Sequence, residues 1–300
     1  MISEDWNMQS YTYKTAENCN IQADVYRVNQ REKQPAIVWI HGGALMAGSR
    51  ADIATYQVEK YLEAGFCVIS IDYRLAPETK LPWIIADLKD AFRWVREKGP
   101  DLFAIDPGRL AVIGHSAGGY LALMAGCVVD PAPQAIVSFY GYGDIIGPWY
   151  SQSDPWYCKE GMVEKTSAEM SVGRQPLTQA DWEKRFPFYL YCRQNGLWPQ
   201  EVSGQDPQKN PGWFYEYCPI KNVTGSYPFT LLIHGDQDTD VPYELSLEMD
   251  SVLEQHQVPH TLLVLKGRGH VFDGVKDAQK DPVISAIFDQ VGELLTKNCL

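Results

Sequence analysis

The sequence predicts an α/β fold: a mostly parallel, doubly wound sheet carrying one aromatic-rich insertion. Three observations point there. Short, largely apolar runs at 36–40, 66–71, 110–113 and 229–233 alternate with longer stretches of helical spacing, the rhythm of strand–helix–strand units. One run, Leu110-Ala111-Val112-Ile113, passes into Gly114-His115-Ser116-Ala117-Gly118 and then directly into a helix-forming segment. The rhythm breaks only between Gly141 and about Tyr227 and then resumes, so a single domain over 1–300 with an insertion at 141–227 is expected.

In chain order, residues 8–28 carry two weakly alternating segments, read as an antiparallel edge. Strand 36–40 runs into His41-Gly42-Gly43-Ala44, and helical spacing over 51–64 stops at Gly65. Strand 66–71 leads into Asp72-Tyr73-Arg74-Leu75-Ala76-Pro77-Glu78. An amphipathic helix is expected over 83–98, with Ile84, Leu88, Ala91 and Val95 on one face and Gly99-Pro100 as its stop. The strand and helix around Ser116 follow, then a strand at 135–140. Beyond the insertion come a strand at 229–233, a helix over about 242–256, a strand at 261–265 and a last helix over about 282–295.

The insertion holds five of the nine tryptophans and 15 of the 36 aromatic residues before position 220, with one short helix expected near 178–186. Polar linkers are not aromatic, so an ordered cap over the sheet is expected. Tyr142, Trp149, Trp156 and Trp213 are the candidates to line and roof a substrate pocket. The alternative is a lobe whose rings pack only against each other.

Composition narrows the function. With 45% apolar and 21% charged residues the chain reads as an ordinary globular protein. Its formal charge of −12 argues against nucleic acid or an anionic membrane as partner. No run approaches a membrane span, and Met1-Ile2-Ser3-Glu4-Asp5-Trp6 has no secretory leader pattern. Seven cysteines without a CxxC pair suit reduced thiols and a cytoplasmic location, although one bridge among Cys158, Cys192 and Cys218 stays open.

The segment around Ser116 is G-x-S-x-G in the context that gives it meaning: strand, sharp turn, helix. Such a turn lifts the serine hydroxyl above the sheet, at the positive end of a helix. A serine needs a histidine to take its proton, and the histidine needs a carboxylate. Of six histidines, His256 and His260 fall inside predicted elements, His41 and His234 brace glycine turns, and His115 points away from the serine. His270, in the glycine-rich loop after the last strand, is the expected base. The acid comes from the loop after 229–233. There Asp236 bonds its own turn, Asp240 serves free amides near Pro242, and Asp238 at the apex is preferred, with Asp236 as the alternative. The amides of Gly43, Ala44 and Ala117 are the expected oxyanion hole.

Taken together, His41-Gly42-Gly43, the 72–78 segment, Gly114 to Gly119, His234-Gly235-Asp236-Gln237-Asp238 with Val241-Pro242, and Gly269-His270 resemble the hormone-sensitive-lipase-like esterases of the α/β-hydrolase superfamily. The resemblance implies a triad of Ser116, Asp238 and His270 and makes residues 72–78 a brace beside the oxyanion loop. Ala44 departs from the usual third glycine, and His115 stands where that family often has an acidic residue. The short N-terminal segment and the insertion after Tyr140 look closer to feruloyl-esterase-like and kynurenine-formamidase-like hydrolases and to the hydrolase domain of prolyl oligopeptidases. The expectation is a serine carboxylesterase acting on short-chain or aromatic acyl esters, without metal or cofactor. An amidase, formamidase or prolyl-type peptidase on the same triad is the first rival, and a non-catalytic binding protein on a hydrolase fold the second.

Overall fold

A computed structural model describes residues 6–28 and 32–299; the first five residues, read above for a leader, lie outside the described residues. The expected doubly wound sheet is present. Eight strands stand in the order β1-β2-β4-β3-β5-β6-β7-β8. They are β1 (Trp6–Ala16), β2 (Cys19–Val28), β3 (Gln34–Ile40), β4 (Cys67–Ile71), β5 (Ile105–His115), β6 (Ala135–Phe139), β7 (Phe229–Gly235) and β8 (His260–Leu265). Strands β1 and β2 pair antiparallel, as does β2 with β4, and every pairing from β4 to β8 is parallel.

Helices cover both faces. They are α1 (Thr55–Glu63), α2 (Leu81–Leu102), α3 (Ala117–Val128), α4 (Pro148–Ser151), α5 (Lys165–Glu169), α6 (Trp182–Asn195), α7 (Trp198–Ser203), α8 (Glu244–Gln255) and α9 (Pro282–Cys299). Alternate residues of β3 divide between the faces because strand side chains have a period of two. Ala36, Val38 and Ile40 pack with α2 and α3, and Ile37 and Trp39 with α1 and α9. Helix α3 is buried on nearly every side, which is why it reads as continuously apolar rather than amphipathic. None of the described helices is long and apolar enough to cross a membrane.

Several boundaries differ from expectation: α1 begins at Thr55 after a 3-10 turn at Arg50–Asp52, β5 begins at Ile105, α9 runs to Cys299, and α2 and α6 extend further. Helix α2 runs through Gly99-Pro100 to Leu102. Pro100 cannot donate to the carbonyl four residues back, and the helix continues past it for only two residues; Gly99 is a packing residue, since a Cβ there would lie 2.7 Å from Ile105 Cδ1. The helix expected near 178–186 begins only at Trp182 and, as α6, extends to Asn195 past an internal proline. Its buried positions Arg185, Phe188, Tyr189, Cys192 and Arg193 have helical spacing, but two of them are arginines and look polar in the sequence. All seven cysteines are free thiols, so the bridge left open among Cys158, Cys192 and Cys218 is not formed.

Candidate active site

Strand β5 ends at His115 and α3 begins at Ala117, leaving Ser116 in the turn with φ 54° and ψ −117°. That strained conformation is enforced from both sides. A Cβ on Gly114 would lie 1.9 Å from the Gly118 carbonyl oxygen, and one on Gly118 would lie 2.1 Å from that of Ile40. Only glycine lets strand, helix and neighbouring strand approach this closely. The Ser116 amide donates to Phe139 O at 2.9 Å, tying the turn to β6.

The structure brings Ser116, His270 and Asp238 into one hydrogen-bonded line. His270 Nε2 lies 3.0 Å from Ser116 Oγ, and its Nδ1 lies 2.6 Å from Asp238 Oδ2. A carboxylate can only accept, so the Nδ1 proton faces Asp238 and Nε2 is left to accept from the serine. Asp238 receives four donors: His270 and His234 Nε2 (3.1 Å) on one oxygen, and the amides of Asp240 and Val241 (2.9 Å each) on the other. His234 also meets Val241 O at 3.0 Å through Nε2 and Ser246 Oγ at 2.7 Å through Nδ1. Two acceptors at Nε2 place its proton there, and the Ser246 hydroxyl donates to Nδ1.

Burial alone would raise the Asp238 pKa, but hydrogen bonds from His234 and His270 and their charges hold it well below the usual carboxylate range. Burial alone would lower that of His270; the hydrogen bond to Asp238 and the charges of Asp240, Asp238 and Asp273 outweigh it, so the net shift is upward.

The two neighbouring aspartates do other work than expected. Asp236 does not bond its own turn; its Oδ1 accepts from Gly267 N at 2.6 Å and pins the loop that carries His270. The amides near Pro242 are taken by Asp238, leaving Asp240 to accept from Tyr157 (2.8 Å), Tyr189 (2.5 Å) and Arg193 Nη1 (2.6 Å) of the insertion.

The loop after β3 turns through three positive φ values: Gly43 at 92°, Ala44 at 55° and Leu45 at 61°. Gly43 O accepts from Met46 N and Ala47 N, while among the described residues the amides of Gly43 and Ala44 have no protein acceptor. Ala117, first in α3, has no intrahelical acceptor. Tyr73 OH donates to His41 O (3.1 Å) and Gly42 O (3.2 Å), which makes the 72–78 segment a brace. The insertion braces the same loop, which sequence reasoning missed. Trp198 Nε1 donates to Ala44 O at 3.0 Å, and Arg185, paired with Glu78, donates to Met46 O at 2.8 Å.

A pocket of about 330 Å³ opens over Ser116 and is lined by Gly43, Ala44, Trp39, Tyr140, Trp182 and His270 among others. Tyr142, expected to line it, and Trp149, Trp156 and Trp213, expected to roof it, are not among the residues that line it. Tyr142 is fully buried and stacks on Tyr120, and Trp149 stacks on Tyr150 at 3.6 Å. Trp213 packs on Phe214 and Tyr217, and Trp156 is half exposed beneath Lys159. Tyr142, Trp149 and Trp213 find their partners in other rings, and Trp182 at the start of α6 is the insertion's aromatic contribution to the pocket. His115 stacks on Phe139, places Nε2 3.0 Å from Asp273 Oδ2, and lines the pocket. Asp273 further accepts from Tyr140 OH (2.6 Å) and Gln57 Nε2 (2.8 Å).

Residues 23–253 match the model of the BD-FAE family. The chain belongs to that family. Among relatives of this BD-FAE chain, the non-reducing polyketide synthase Preu6 of Preussia isomera is 30% identical over 90% of this chain and 14% of its own length. Esterase LipC of Mycobacterium tuberculosis is 30% identical over 88% of this chain and 60% of its own. The chain thus spans only part of each relative. Among solved structures, a Staphylococcus aureus protein of unknown function superposes with TM-score 0.80 at 23% identity, covering 97% of this chain and all of the other (100%). An α/β-hydrolase superfamily protein of Enterococcus faecalis gives TM-score 0.71 at 22% identity over 98% and 100% of the two chains. The BD-FAE chain therefore has the α/β-hydrolase fold.

Proposed function

We propose that this protein is a serine carboxylesterase working through an acyl-enzyme. The observation that carries the reading is the unbroken line from Ser116 Oγ through His270 to Asp238, beside two backbone amides that have no protein acceptor among the described residues. Likeness to a relative named as an esterase supports the ester as substrate.

His270 Nε2 takes the Ser116 proton as Oγ attacks the ester carbonyl. The carbonyl oxygen becomes an oxyanion received by the amides of Gly43, Ala44 and Ala117. The tetrahedral intermediate collapses, the Nε2 proton passes to the leaving alkoxide, and the acyl group stays on Oγ. Water, activated by the same histidine, releases the acid. Asp238 orients His270 and stabilises its charged form without being protonated. A pocket of about 330 Å³ lies at the small end of the range for ligand sites and favours short or single-ring acyl groups over long chains.

The test is kcat/KM for p-nitrophenyl esters from C2 to C12, with Ser116→Ala alongside. Hydrolysis that falls beyond short chains and drops at least about a thousandfold in the variant supports the reading. Undiminished turnover in Ser116→Ala removes it.

A further inference from the structure

His270 Nε2 faces two groups rather than one. Ser116 Oγ lies 3.0 Å away and Asp240 Oδ2 lies 3.5 Å away, on a residue that itself lines the pocket. Asp240 is delivered there by the turn that serves Asp238, whose Oδ1 holds the Asp240 amide at 2.9 Å. Its other oxygen is fully occupied by Tyr157, Tyr189 and Arg193. Arg193 is buried, also pairs with Asp154, and sends two further hydrogen bonds to Asp240 O at 3.1 and 3.0 Å. A clamp from the insertion therefore fixes Oδ1 and leaves Oδ2 toward the proton-carrying edge of the histidine.

We propose that Asp240 is a positioning residue for the esterase reaction: a second carboxylate, held by Arg193, Tyr157 and Tyr189 of the insertion, that stabilises His270 when Nε2 carries the serine proton. The inference rests on the esterase reading. In the resting site Nε2 is an acceptor, and a carboxylate 3.5 Å away gains nothing from it. Once the proton has moved from Ser116 Oγ to Nε2, the ring is cationic and the same carboxylate attracts it. The attraction belongs to the charge-separated state, so it lowers the barrier rather than tightening substrate binding. The charged groups facing His270 are Asp238, Asp240 and Asp273, with the Tyr140 ring edge-on at 4.7 Å. Asp238 acts at Nδ1, while Asp273 is engaged by His115, Tyr140 and Gln57. Asp240 is thus the carboxylate at the reacting nitrogen. It also gives the insertion a role that roofing aromatics do not supply, linking α6 to the triad through one ion pair.

The experiment follows the His270 ring by proton NMR against pH, comparing Ser116→Ala with Ser116→Ala carrying Asp240→Asn. This readout needs no turnover. The expected result is a midpoint lower by about half a unit or more in the Asp240→Asn background, restored by Asp240→Glu. If Asp240→Asn alone does not fold, the double change Asp240→Asn, Arg193→Gln leaves no buried arginine unpaired, and its midpoint also falls because Asp240 is the group in contact with the ring. In the otherwise unchanged protein, Asp240→Asn should move the acid limb of kcat/KM for p-nitrophenyl acetate in the same direction and lower kcat more than it changes KM. An unmoved ring midpoint overturns this proposal and leaves the esterase reading intact. Full turnover in Ser116→Ala overturns the esterase reading itself.

Discussion

The indole Nε1 of Trp198 lies 3.0 Å from the carbonyl oxygen of Ala44, a contact between residues 154 positions apart that joins the insertion to the loop beside Ser116. Trp198 is fully buried and stacks on Tyr150 at 4.0 Å, so it cannot swing away without disturbing the insertion. Replacing it by Phe keeps most of the ring and removes the donor. The Ala44 carbonyl then loses the bond that holds its peptide plane, and the preceding amides of Gly43 and Ala44, proposed to receive the oxyanion, lose the neighbour that fixes them. Trp198→Phe is expected to lower kcat roughly tenfold, equivalent to about 1.4 kcal/mol, with KM little changed. Steady-state kinetics on a p-nitrophenyl ester measure it; equal kcat values would mean the insertion does not support the loop.

Gly43 offers a sharper version of the same test. Its φ of 92° is hostile to a side chain, and a Cβ would meet the Ala47 carbonyl oxygen at 2.2 Å. Gly43→Ala must displace the backbone that presents two of the three proposed oxyanion donors. The expected loss is on the order of a hundredfold or more in kcat, with a stability cost of roughly 1–3 kcal/mol from the strain. Thermal unfolding and kinetics together separate these effects. A variant with lower stability and full kcat would remove this loop from the oxyanion hole.

The pH dependence has a definite sign. His270 must be neutral to accept the serine proton, and the charges and hydrogen bond around it shift its pKa upward despite burial. The acid limb of kcat/KM is therefore expected above the free-histidine value of about 6.5, with activity rising through it as pH increases. Asp238→Asn removes a hydrogen-bonded carboxylate from Nδ1. It should shift that limb downward and cost roughly 10³–10⁴ in kcat. A wild-type limb at or below pH 6.5 would contradict the upward shift assigned to the carboxylates around His270.

The parts of this site that can be read from the sequence are those whose backbone role is local. Gly114 and Gly118 announce a turn that no other residue could make, and His270 follows a strand in a glycine-rich loop. Asp238 stands at the apex of its loop, and the structure shows why the apex serves: one oxygen caps the turn while the other meets His270. What stayed hidden depends on contacts across the fold. Trp149 and Trp198 look alike in the sequence, yet one stacks inside the insertion and the other braces Ala44. Arg193 and Arg185 read as surface charges on α6 because their acidic partners, Asp240 and Glu78, are far away in the chain. The direction in which an aromatic or charged side chain points is set by packing, and composition carries no record of it.

The most direct measurement is labelling with a fluorophosphonate, which forms a covalent adduct only with a serine activated by its base. Intact mass and peptide mapping should show one adduct, on Ser116, formed rapidly in the wild type and abolished or slowed at least about a hundredfold by His270→Ala. A protein that hydrolyses p-nitrophenyl acetate without labelling at Ser116, or that labels equally fast without His270, would contradict the assignment of this line of residues as the catalytic machinery.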